Sequence, residues 1–113
     1  MTKVVIFIDW YLPAYKAGGP ISSISNIVDL IGDDLDIYIV TGDRDLHSDQ
    51  QLLGIKTDQW KKVGSANVFY TSKKYRTSRF LSDLINKVSP DVIYINGVFS
   101  YKFSILPLFL FRR

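Results

Sequence analysis

The chain has no cysteine and no glutamate, and it carries one histidine and one methionine. Without cysteine there is no disulfide, no thiolate nucleophile and no zinc–thiolate site. A single histidine, His47, excludes a multi-histidine metal centre, and neither a metal nor a cofactor is expected. All eleven acidic residues are aspartates, at positions 9, 29, 33, 34, 36, 43, 45, 49, 58, 83 and 91. Chemistry that requires a glutamate therefore does not take place on this chain. Long apolar runs are missing as well. The first, 4–8, ends at Asp9, too short for a secretory leader or a membrane span. The expected location is cytoplasmic. The G-x-G-x-x-G fingerprint is absent, and so is the P-loop with its lysine.

What is present describes a folded domain. The 113 residues are 47% hydrophobic and 14% aromatic, which suits one domain, 1–113, with a real core. The net charge of +3 is unevenly placed. Residues 29–58 are acidic, whereas Lys61, Lys62, Lys73, Lys74, Arg76, Arg79 and Lys87 follow with only Asp83 against them. Such a basic half is either a solvated surface or one that meets phosphate, nucleic acid or an anionic membrane.

The first twenty residues organise the rest. Val4-Val5-Ile6-Phe7-Ile8 is β-branched and aromatic without alternation, the pattern of a strand buried on both faces of a parallel sheet. After the polar pair Asp9-Trp10 a loop over 11–17 leads to Gly18-Gly19-Pro20, and proline is favoured at a first helical position. Strand, glycine turn and helix together can cradle a phosphate. The glycines can equally serve only to turn the chain.

The spacing of Ile21, Ile24, Ile27, Val28 and Ile31 predicts a helix over 20–31 with one apolar stripe, stopped by Gly32 at a C′ position. Residues 36–41 read as a second strand, giving a right-handed βαβ unit. Periodicity fails over 43–64, where Trp60 reads as an anchor for a long loop. Residues 67–71 form a third strand. Phe80, Leu81, Leu84, Ile85 and Val88 line a second helix, capped by Thr77 or Ser78 and closed by Pro90. Residues 91–95 form a fourth strand, and 100–111 resemble the start of a further helix. The fold class is thus α/β: an open, mainly parallel sheet of about four strands in the order 3-2-1-4, with helices on both faces. Ligands in such sheets gather outside the carboxyl ends of the strands, at the point where strand order reverses. Residues 9–19, 41–45 and 96–101 emerge there.

With those segments aligned, the chain resembles the N-terminal, acceptor-binding domain of a family 4-like glycosyltransferase with two Rossmann-like domains, the GT-B fold. The stretches that carry the resemblance are YLPAYKAGGPISSISNIVDLIG, VTGDRDLHSD, GIKTDQWKKVGSANVFY and DVIYINGVFSYKFSILPLFLFRR, in the family's order and spacing. The resemblance implies transfer of sugar from a nucleotide-sugar to a glycan or lipid-linked acceptor, as in polysaccharide biosynthesis. It places Gly18 and Gly19 against the donor diphosphate. It places Asp9, Tyr15, Lys16, Asp43, Arg44, Asp45, Asn96, Gly97, Phe99 and Ser100 toward the acceptor. Asn96-Gly97 stands where many relatives carry a histidine, so no catalytic residue is assigned. The family's nucleotide pocket and paired glutamates belong to a C-terminal Rossmann domain, so this chain is expected to be a truncated half, inactive alone.

Partners expected on this reading are the donor, the acceptor and the missing C-terminal domain, with peripheral contact at the inner face of the membrane as a further option and no nucleic acid. The alternative is a free-standing Rossmann-like binding module that forms a homodimer through the apolar segment 101–111. A receiver-type signalling domain fits less well, because Trp10 follows Asp9 where a second acid is needed, and the fourth strand runs into Asn96.

Overall fold

The computed structural model describes residues 2–16, 18–45, 47–48, 50–72 and 78–96. In chain order the elements are β1 (Lys3–Ile8), α1 (Gly19–Ile31), β2 (Asp36–Gly42), β3 (Trp60–Val63), β4 (Ala66–Thr71), α2 (Ser78–Val88) and β5 (Val92–Asn96). They form one five-stranded sheet in the order β3-β4-β2-β1-β5. All pairings are parallel except β3 with β4.

The four expected strands keep their expected relative order as β4-β2-β1-β5, and the sheet has one strand more. That strand, β3, turns back on β4 as an antiparallel hairpin through Gly64-Ser65. It lies within the stretch read as loop because Trp60-Lys61-Lys62-Val63 is short and does not alternate. Its stability comes from its pairing with β4, which no local pattern reports.

The crossovers explain why each helix lies where it does. From β1 the chain steps through α1 to β2 on one side. From β4 it steps back through α2 to β5 on the other side of β1. Two right-handed crossovers in opposite directions place their helices on opposite faces. Side-chain alternation agrees. Ile6, Ile8, Ile37, Ile39, Ala66 and Val68 pack with Ile21, Ile24 and Val28 of α1. Val5, Phe7, Val40 and Phe69 pack with Leu81, Leu84, Ile85 and Val88 of α2. Each central strand is buried on both faces, which is why its sequence reads as a continuous apolar run.

The α1 stripe is narrower than its sequence suggests. Ile21, Ile24 and Val28 are buried, but Ile27 and Ile31 are 41% and 42% exposed. Gly64 and Ser65 lie against the Asp29 and Gly32 side of the helix. Ile27 and Ile31 lie on the opposite flank of the helix.

Gly32 ends α1 for a different reason than a left-handed cap. Its φ is −63°, an ordinary right-handed value. A Cβ at this position would lie 2.6 Å from Ser65 Cβ and collide with the Val28 carbonyl oxygen, so the glycine admits the β3–β4 turn against the helix. The end of α2 also differs from expectation. Ser89 adopts φ 52° and donates its N–H to the Ile85 carbonyl (2.8 Å), so the chain leaves the helix at Ser89, before Pro90. The helix begins at Ser78, and Thr77 lies outside the described residues.

Trp60 is the anchor its position suggests. Its ring meets Tyr38 and Phe69 edge-on, each at 5.3 Å between centroids, and Phe69 meets Phe80 at 5.7 Å. Edge-to-face contacts at these spacings are favourable beyond their buried area.

Candidate functional site

The carboxyl ends of β1 and β2 open on two loops, 9–18 and 43–59, beside the end of β4. Asp45 joins them. Its carboxylate accepts the backbone N–H of Tyr15 (3.1 Å) and of Lys16 (3.1 Å). A buried carboxylate that accepts amide N–H groups forms charge-assisted hydrogen bonds, stronger than neutral ones. Tyr70 makes a second tie, donating its hydroxyl to the Leu12 carbonyl. Together these bonds set the path of the chain into the glycine turn.

At that turn Gly18 has φ 68° and ψ −106°, which only glycine adopts readily. Its N–H donates to Tyr15 O (3.1 Å), and its carbonyl accepts from Ser22 (3.1 Å). Gly19 opens α1, and Pro20 follows it without an N–H. No side chain caps the helix and no acid lies in its first turn. A methyl group built on Gly18 or on Gly19 meets nothing within 4 Å. The helix start is therefore open, with uncapped N–H groups available to water or to an anion.

The remaining expected residues divide by environment. Asp9 follows β1, and its carbonyl accepts the Gly42 N–H at 3.4 Å. Tyr15 is 72% exposed and Lys16 is exposed. Asp43 and Asp45 are buried. The Asp43 carbonyl accepts the Leu52 N–H (2.8 Å), and Arg44 bridges to Gln51, closing the start of the loop on itself. Arg44 Nε lies 3.8 Å from Asp43 Oδ1. Asn96 ends β5 opposite Ile8, at the same edge. Gly97, Phe99, Ser100 and the segment 101–111 lie outside the described residues.

Several residues at this edge carry no signal in the sequence. Tyr11 and Tyr70 are each 1% exposed. The pKa of each phenol is pushed up to about 12, for Tyr11 by burial and then by the Asp29 charge, for Tyr70 by burial and then by Tyr11. Neither is a base near neutral pH. Asp58, at φ 61°, donates its N–H to the Tyr70 carbonyl (2.8 Å) and accepts the Ser72 N–H on Oδ1 (2.9 Å). Leu12, Pro13, Leu53, Ile55, Lys61 and Tyr70 border a groove of about 440 Å³. A second groove of about 380 Å³ lies across Leu53, between Pro13 and Gln51. Only the end of the Phe69-Tyr70 strand hints at the first.

Among the described residues no three potential metal ligands come together, and no helix is long and apolar enough to cross a membrane. Compared with models of known families, with curated proteins and with solved structures, the chain finds no match.

Proposed function

We propose that this chain is the N-terminal domain of a family 4-like glycosyltransferase of GT-B architecture, which takes sugar from a nucleotide-sugar to a glycan or lipid-linked acceptor. The observation that carries the reading is the open glycine turn at the start of α1. Gly18 and Gly19 leave room for the close approach of a diphosphate, and the uncapped helix start offers N–H groups and the positive end of the helix dipole. The turn lies at the carboxyl edge of a parallel sheet, beside the reversal of strand order at β1, where ligands of such sheets gather. The exposed Tyr15 and Lys16 and the partly buried Arg44 supply polar groups for an acceptor, and Asp45 holds the loop that presents the first two.

No catalytic residue is assigned to the chain. The proposal expects it to transfer no sugar alone, with donor chemistry supplied by a second Rossmann-like domain. The experiment is a titration of the ¹⁵N-labelled chain with uridine and guanosine diphosphates and their sugar conjugates. Amide shifts centred on Gly18, Gly19 and Ile21 support the reading. Shifts centred elsewhere, or none at millimolar ligand, remove the diphosphate role from this turn.

A further inference from the structure

Leu30 of α1 is 81% exposed, and Val92 and Tyr94 of β5 are each 49% exposed. With Ile27 and Ile31 they make five large apolar side chains left in water on one side of the molecule. Helical spacing sets Ile27, Leu30 and Ile31 on one stripe, beside that of the buried Ile21, Ile24 and Val28. Strand register places the other two. Val92 pairs with Val4 and Tyr94 with Ile6, and both partners belong to the packing under α1. Paired residues share a face of the sheet, so Val92 and Tyr94 project on the α1 side. The Asp29 flank of α1 meets the β3–β4 turn, at one end of the strand order. The flank with Ile27 and Ile31 therefore turns toward the other end, where β5 lies. The five side chains border one surface, with α1 as its wall and β5 as its floor.

Single exposed apolar residues are ordinary. This surface is distinguished by what it lacks. Among its thirteen residues α1 carries one charge, Asp29, and that residue lies on the other flank. A helix facing water carries charged residues on its outer side. Here the exposed positions hold Ser22, Ser23, Asn26 and Leu30 instead. The edges of the sheet differ in the same sense. At one end β3 carries Lys61 and Lys62, which guard an open edge against pairing, whereas β5 at the other end is uncharged. A charged partner finds no counter-charge among these residues. A second copy presents the same uncharged side chains, and a two-fold interface buries both sets without stranding a charge.

We propose that this face is the interface between two copies of the chain, in which each protomer lays its α1 beside that of its partner. Ile27 and Ile31 then meet their own counterparts, and Leu30 reaches Val92 and Tyr94 across the two-fold. The helix, about 20 Å long, offers more than three turns for this contact. The surface is separate from the segment 101–111 and does not depend on the glycosyltransferase reading.

Its test is sedimentation equilibrium of the full chain over a wide range of concentration, where a reversible monomer–dimer equilibrium is expected. Leu30→Lys places a charge within the interface and should weaken dimerisation by roughly tenfold or more. The site is exposed, so an unchanged far-ultraviolet spectrum shows that the variant remains folded. The chain has no cysteine, so Ile27→Cys supplies a single thiol. Oxidation with copper–phenanthroline should cross-link the dimer through it. Leu53→Cys, 93% exposed on the loop 43–59, is the control and should stay uncross-linked. A monomer at every concentration overturns the proposal. So does equal cross-linking through Leu53→Cys, the mark of random collision. A dimer that Leu108→Asp abolishes and Leu30→Lys leaves intact places the contact on 101–111 and overturns it too.

Discussion

Under α2 the sheet offers a row that follows the strand register, Phe7 beside Val40 and Val40 beside Phe69, with Trp60 beyond. The buried members of that cluster are all apolar. Under α1 the same strands present Ile6, Ile39 and Val68, but the cluster continues at the carboxyl edge into Tyr11, Ala14 and Tyr70. There the packing passes into hydrogen bonds, from Tyr70 to the Leu12 carbonyl and from the Tyr15 and Lys16 amides to Asp45. One face is fastened by apolar area and by ring contacts. The other is fastened by area beneath the helix and by directed polar bonds beneath the loops. Non-directional burial holds a helix against a sheet, whereas placing an irregular loop requires groups that specify direction.

The comparison breaks most visibly in the apolar face. Leu81 is fully buried, and Leu81→Ala should cost about 3 kcal/mol in urea unfolding. A loss well under that figure would mean that α2 is not seated as described. On the other face the sharper change is Asp45→Ala. Two backbone N–H groups lose their acceptor, at a cost of about 2 kcal/mol. Hydrogen exchange should then lose protection at Tyr15 and Lys16 while Val40 and Phe69 keep theirs. Uniform loss across the sheet would show that the polar ties and the core are one unit.

Alkaline pH bears most on the α1 face, where two buried phenols lie. The Tyr38 phenol on the α2 face is also raised, by burial and then by its bond to Asp36. Tyr11 and Tyr70 titrate near 10 in the unfolded chain and near 12 in the folded one. The folded protein therefore keeps protons that the unfolded chain has released. This contribution to stability is complete below about pH 10 and is lost as pH rises toward 12. Tyr70→Phe should flatten part of that decline in a pH series of unfolding midpoints. A decline of unchanged slope would assign it to other groups. The smallest effect is a gain. Ser89 holds a left-handed conformation that glycine adopts without strain, and Ser89→Gly should stabilise the chain by up to about 1 kcal/mol. A loss would show that the Ser89 hydroxyl bond to the Asn86 carbonyl (3.0 Å) outweighs the strain.

Much of this architecture was legible in the chain because it is written in periodicity. Unbroken apolar runs at 4–8 and 37–40 report strands buried on both faces, and the spacing of Leu81, Leu84, Ile85 and Val88 reports the face of α2. The candidate site was legible only as a place. Its loops were read from strand ends, yet the same reading placed Asp43 and Asp45 on the acceptor side, and the fold buries both. An aspartate that caps a neighbouring loop looks the same in sequence as one that faces solvent. The difference lies in a partner thirty residues away in the chain, at Tyr15.

By itself, the sequence determined the class of fold, the sites of the two helices and the glycine turn after β1, because each depends on residues close together in the chain. Tertiary structure decided that Trp60 begins a strand, that Gly32 serves a close approach and not a left-handed cap, and that Leu53 stands in water between two grooves. Each of these depends on what a distant segment places nearby. Local propensity describes what a residue allows, and only packing selects among the allowed states.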